Sequence, residues 1–440
     1  MPAYVVVGAQ WGDEGKGKIV DLLTERVDVV ARYGGGPNAG HTICVGDRRF
    51  ALHHVPSGIL RDGVVCVIGN GVVIEPASLL REIEELRRSG IRVEDNLRIS
   101  DRAHLILPYH RGRDIAREEA ARDGRIGTTR LGVGPTYEGK AARYGVRVAD
   151  LADPQALLDR IRALAAAVAA AGDSLPEEFN PPAEKVTRDY LGHGEALRLF
   201  ITDTATLLNR RLDDGAVILC EGAQGTMLDL DHGGYPYVTS STSTAGGACT
   251  GLGISPVRVA GVIGVMKAYS TRVGEGPMPT EQDNAEGERI RQRGREFGST
   301  TGRPRRCGWF DAVVARYAVM VNRIESVALT LFDVLDDFET IPVCIGYECD
   351  GRRIDTLPGD SAGIRRCRPV YESLPGWRRD TSTATRETDL PEAARAYVRR
   401  IETLIGCEVG IISASPQRDR TIVRPEGRIV AWLPRRTTAG

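Results

Sequence analysis

No apolar run in the 440 residues reaches the length needed to cross a membrane. The N-terminus has neither the basic nor the apolar region of a signal peptide. No charge of one sign dominates: 58 Lys and Arg face 59 Asp and Glu, so neither a nucleic-acid nor a membrane surface is expected. The nine cysteines contain no C-x-x-C pair, and the closest two, Cys344 and Cys349, have no neighbouring His pair. Buried free thiols are expected, rather than a metal site or disulfides. There is no internal repeat, and no linker is long enough to force a domain split. What remains is a cytoplasmic α/β protein with a large core, read as one domain over residues 1–440.

What is present is a series of glycine-rich loops. Tyr4 to Val7 is short and β-branched, as a buried strand should be. Gly8 to Lys18 follows, reading Gly-Ala-Gln-Trp-Gly-Asp-Glu-Gly-Lys-Gly-Lys, and then Ile19, Val20, Leu22 and Leu23 at helical spacing. A glycine turn between a strand and a helix start aims backbone N–H groups and the helix dipole at an anion. Gly12 to Lys18 fits the G-x-x-x-x-G-K spacing of a phosphate loop. Such a loop places Ser or Thr next, to hold Mg²⁺; here the residue is Ile19. Asp13 and Glu14 stand where phosphate oxygens would sit, which suits a metal ligand or a base acting on a second substrate.

Val27 to Arg32 is expected to be a second strand, running into Gly34-Gly35-Gly36-Pro37-Asn38-Ala39-Gly40-His41-Thr42. Two such loops suggest two walls of one site at the carboxyl ends of neighbouring strands, with His41 as an acid–base group or phosphate donor. Further strands are expected at 64–68, 216–219, 257–266, 327–329 and 410–412, and helices at 76–89 and 157–171. Residues 174–185 read as an exposed connector. Tyr137 to Arg147 carries Lys140, Arg143 and Arg147 as a basic helix or arm. The Ser, Thr and Gly of 235–253 suit a polar ligand wall, and the arginines of 297–306 suit an acidic ligand. Asp333, just beyond a strand, can accept both N1–H and 2-amino hydrogens of a guanine. Strands alternating with helices imply a large, mostly parallel central sheet flanked by helices, with the phosphate loop after its first strand.

These motifs together resemble the adenylosuccinate synthetase family. The stretches that carry the resemblance are Gln10 to Lys18, Gly34 to Thr42, Glu221 to Thr226, Tyr235 to Ser241, Lys267 to Gly274 and Thr300 to Arg303. The resemblance implies a homodimeric ligase that joins IMP to L-aspartate while GTP is split to GDP and phosphate, with one Mg²⁺ per subunit. It implies Asp13, His41 and Lys16 as catalytic residues. GTP would lie on Gly12, Asp13, Glu14, Gly15, Lys16, Gly17 and Lys18, on Gly40, His41 and Thr42, and on Arg305. Its base would meet Leu331, Phe332 and Asp333, and Ser413, Ala414 and Ser415. IMP would be held by Asn38, Ala39, Thr129, Gln224, Thr239 and Arg303, and by Arg143 from the partner subunit. Aspartate would lie on Ser299, Thr300, Thr301, Gly302, Arg303 and Arg305. Asp13 and the Gly40 carbonyl would bind Mg²⁺.

The sequence departs from the family pattern at four places. Leu331 replaces a lysine, Ser415 a glycine, Arg130-Leu131 the family's Gly-Arg, and Pro304 a common arginine. The same chemistry on a modified purine nucleotide is the first alternative. A GTP-hydrolysing switch is the second, and Ile19 after the loop lysine argues against it.

Overall fold

The computed structural model describes residues 2–46, 48–121, 125–298 and 302–434. A ten-stranded sheet organises them. Across it the strands run Thr421–Val423, Glu408–Ser413, Ser326–Thr330, Val259–Lys267, Ala3–Gly8, Ile218–Glu221, Val29–Arg32, Val65–Ile68, Leu97–Ser100 and Ile201–Thr202. Every neighbouring pair is parallel except Glu408–Ser413 with Thr421–Val423.

The apolar run after the N-terminus explains why the first strand lies mid-sheet. Every residue of Ala3–Gly8 is buried. Ala3, Val5 and Val7 face one hydrophobic core and Tyr4 and Val6 the other, so both faces are covered, as a parallel sheet requires. Helices Thr204–Asp213, Ala312–Asn322 and Glu392–Ile405 pack into the first core. Helices Lys16–Thr24, Pro76–Arg88 and Pro154–Ala170 pack into the second. Helix Arg428–Trp432 returns to the centre, where Trp432 stacks on Tyr4 at 5.4 Å between ring centres. Gly261 makes room for it: a Cβ there would lie 2.7 Å from the Trp432 ring.

The expected mostly parallel sheet is present, with its boundaries moved by a residue or two. The connector expected at 174–185 holds a turn of 3-10 helix, Glu177–Phe179, and the start of helix Ala183–Leu197. A smaller sheet had no counterpart in the sequence reading: Thr340–Cys349 pairs antiparallel with Arg352–Ile354 and with Arg368–Pro375. All nine cysteines are free thiols. Because nine of the ten strands run parallel, the loops after them leave from the same edge, and this brings the glycine-rich segments together.

Candidate active site

The first loop closes on its own carboxylate. Gly15 takes a left-handed conformation (φ 85°) and caps helix Lys16–Thr24, so the helix N-terminus opens onto the loop. Glu14 is fully buried and accepts hydrogen bonds from the N–H of Gln10 (3.0 Å) and of Gly12 (2.9 Å). Its other oxygen holds the Lys16 ammonium at 2.5 Å. Glu14 therefore shapes the loop from inside, and its carboxylate is not the exposed metal ligand or base that the sequence allowed. Asp13, also left-handed (φ 57°), keeps its side chain at the surface of the loop, 34% exposed.

Asp13 meets a buried charge network. Arg305 pairs with it at 2.7 Å and with Glu296 at 2.7 Å. Glu296 also receives the Lys267 ammonium at 2.7 Å and the Tyr269 hydroxyl. Burial would raise the Asp13 pKa, but Arg305, Lys267 and Lys16 outweigh it and hold the carboxyl below its ordinary value. Gln10 ties the loop to this network by accepting from the Lys267 N–H (2.9 Å) and donating to the Tyr269 carbonyl (2.9 Å).

His41 opens a short strand, His41–Val45, rather than lying inside a loop. Its Nδ1 pairs with Glu221, which also accepts from the Ser57 N–H at 2.8 Å and the Ser57 hydroxyl at 2.7 Å. Burial raises the Glu221 pKa, and His41 and Ser57 outweigh this and keep it lowered. The imidazole packs against the start of helix Lys16–Thr24, where a Cβ on Gly17 would lie 2.9 Å from the His41 Cβ. Glycine at 17 thus lets the two loops face each other. The segment before His41 is held by Arg32, fully buried at the end of its strand. Arg32 donates to the carbonyls of Gly34 (3.3 Å), Gly36 (2.8 Å) and His53.

Gln224 gathers the third wall. It is left-handed (φ 57°), and its amide lies against Gly35, 3.2 Å from where a Cβ would be. Ser241 donates to the Gln224 carbonyl oxygen at 3.4 Å and bonds Thr239 at 3.1 Å. Asn38 accepts from the Gly36 N–H at 3.2 Å, in the same loop as buried Ala39. Thr129 is exposed on a segment latched by Asp114, which accepts from Gly132 N–H, and Glu118, which accepts from Gly127 N–H, both at 2.9 Å. Arg143, at the end of helix Val133–Ala142, is exposed. Gly302 is left-handed (φ 65°), and Arg303, also exposed, accepts at its carbonyl from the Gly298 N–H at 2.8 Å. Ser299, Thr300 and Thr301 lie outside the described residues.

At the far side, Thr330 donates to the Glu14 carbonyl at 2.6 Å. Leu331 is left-handed (φ 53°) and partly buried. Asp333 is partly exposed, and burial pushes its pKa up to about 6. Lys18 does not stay with the first loop. It donates to Ser413 Oγ (2.7 Å) and to the Ser415 carbonyl (2.6 Å).

The adenylosuccinate synthetase family model matches residues 5–422 of the chain. The adenylosuccinate synthetase of Thermobifida fusca is 51% identical over 97% of this chain and 100% of its own length. That of Geobacter sulfurreducens is 50% identical over 96% and 98%. The chain belongs to the adenylosuccinate synthetase family. A solved structure of fully ligated adenylosuccinate synthetase from Plasmodium falciparum is 38% identical, with a TM-score of 0.90 over 96% of this chain and 100% of that one. A cyanophage S-2L succinoaminodeoxyadenylate synthetase shares the fold at 22% identity and a TM-score of 0.61.

Of the positions named from the sequence, Phe332 and Ala414 have side chains packed into the main hydrophobic core. Phe332 is fully buried and stacks on Trp377 at 4.8 Å, and Ala414 is 1% exposed. These side chains are carried inward because the strands they adjoin are buried. Sequence reasoning also passed over Glu221, Glu296 and Arg32. Glu221 opened a motif already singled out, and its place beside a β-strand end was the available signal. Glu296 had none, because its partners Lys267, Tyr269 and Arg305 lie on other segments; Arg32 closed a strand already marked, beside the glycine loop whose carbonyls it holds.

Proposed function

We infer that the chain joins IMP and L-aspartate to adenylosuccinate while splitting GTP to GDP and phosphate. The observation that supports this best is the approach of the Asp13 and His41 loops at Gly17, at one edge of the sheet and next to a helix N-terminus. The 6-oxygen of a hypoxanthine is a poor leaving group. An ionised Asp13 takes the N1 proton, the oxygen becomes nucleophilic, and it receives the γ-phosphoryl of GTP to give 6-phosphoryl-IMP. The amine of aspartate then attacks C6 and phosphate departs.

Glu221 accepts from His41 Nδ1, so Nε2 is the nitrogen that faces substrate, and the lowered pKa of Glu221 keeps it charged to hold the ring in that orientation. That Nε2–H donates to the 6-oxygen through both steps. Lys16 moves from Glu14 to the phosphates, and Arg305 turns from Asp13 to a carboxylate of aspartate, releasing Asp13 as the base arrives at its work. Asp13 and the Gly40 carbonyl offer hard oxygen donors suited to Mg²⁺. Among the described residues no group of three or more His, Cys, Asp or Glu could hold a metal, which fits an ion completed by phosphate oxygens and water. When bound, Mg²⁺ adds positive charge at the transferring phosphoryl group.

Two further readings accompany this one. Arg143 is exposed and left-handed (φ 70°), and its side chain makes no hydrogen bond or ion pair with the described residues, which supports its reaching a partner subunit's IMP. Loops from residue 8 to residue 415 meet at one edge of the sheet, which supports one functional unit. Among the described residues no helix is long and apolar enough to cross a membrane. The test is phosphate release with GTP alone, with IMP added, and with IMP plus aspartate, repeated over a panel of purine nucleotides. Release that does not require IMP and aspartate together would overturn the ligase reading.

A further inference from the structure

Helix Lys16–Thr24 grips the loop that follows strand Glu408–Ser413 at two points one turn apart. Asp21 holds Arg418 through two bonds of 2.6 Å, and Lys18 holds Ser413 Oγ and the Ser415 carbonyl. Ser413 closes the same turn by donating to the Ser415 carbonyl at 3.4 Å. Both bonds of Lys18 therefore converge on the segment assigned to the donor's purine, not on the turn that would carry its phosphates. The charge of Lys18 also reaches the carboxyl of Asp333 across the same subsite.

We propose that Lys18 is the positioning residue of the donor-base subsite, holding the 413–415 turn in shape and keeping Asp333 ionised to receive a guanine. This rests on the assignment of 333 and 413–415 to the base of GTP. Lys16, paired with Glu14, is left as the phosphate lysine. The groups acting on Asp333 are Asp336, which raises its pKa, and Lys18 and Arg293, which lower it; the Tyr269 hydroxyl also lies within electrostatic reach. Burial is the largest influence and already brings the carboxyl up to about 6. Without the Lys18 charge it rises further, and a protonated Asp333 no longer accepts both guanine donors.

Equilibrium binding of GDP and of ADP to the full chain tests this without relying on turnover. In Lys18→Met the preference for GDP over ADP falls by roughly tenfold, the usual scale for a lost hydrogen bond to a charged group. Ser413→Ala, which removes one of the two Lys18 partners, lowers the preference in the same direction by less. The pH below which GDP binding weakens lies near 6 in the parent and moves upward in Lys18→Met. Equal weakening of GDP and ADP with no movement of the pH midpoint would make Lys18 a phosphate ligand and overturn the proposal. Failure of the ligase reading shows instead as absent IMP- and aspartate-dependent phosphate release in the parent chain.

Discussion

Asp13 carries the most chemistry for a single side chain. Three cations hold it ionised, and it alone among the loop's acids remains at the surface. Asp13→Asn keeps the shape and removes the base, so kcat falls by at least about a hundredfold with an unchanged thermal midpoint. Near-parent kcat would remove Asp13 from the chemical step. Leu331 sits in a left-handed conformation unusual for a bulky residue, so the backbone, not the side chain, fixes where residue 331 points. A lysine there would lay its stem and charge over a guanine. Leu331→Lys should lower KM for GTP and leave kcat within a few-fold, because the base is remote from the bond being made. An unchanged KM would mean that residue 331 does not cover the base. Asp13 and His41 were legible in the sequence because a glycine loop advertises its own chemistry locally. Glu221 and Glu296 were not: the first acts on a residue 180 positions away, and the second works through Lys267 at a strand end and Arg305 in a separate loop.

Elements place these groups, and glycines set how closely elements approach. The start of helix Lys16–Thr24 touches the start of strand His41–Val45 through Gly17. In Gly17→Ala the added methyl meets the His41 Cβ at 2.9 Å, and overpacking of this kind costs about 1–3 kcal/mol. The expected result is a lower thermal midpoint together with a fall in kcat, measured on the same preparation. A stable variant with full activity would show that the His41 loop does not need this approach. The first strand was readable because the apolar, β-branched run Tyr4 to Val7 stops at a glycine-rich loop. Strands Leu97–Ser100 and Ile201–Thr202 were not, since the second is two residues long and exists only through its pairing with Ile99 and Ser100. Their identity is a property of the sheet, not of their local sequence.

At the scale of the whole molecule, one edge of one sheet collects the entire site, and a second copy is expected to finish it. Mixing inactive Asp13→Ala and Arg143→Leu subunits should restore part of the activity, because half of the hybrid dimers' sites carry neither change. No recovery while subunits demonstrably exchange would confine Arg143 to its own chain. The mid-sheet position of Ala3–Gly8 also orders events in time. Its neighbours are Ile218–Glu221 and Val259–Lys267, so the strand leaves the ribosome about 210 residues before its first partner. At typical rates of synthesis that is a wait of roughly 10–40 s for an apolar strand with both edges open. Long-range pairing of this sort is slow to form and exposed to self-association while it waits. The first strand to be made thus waits for the end of the chain to be finished, its Tyr4 ring stacked only when Trp432 arrives.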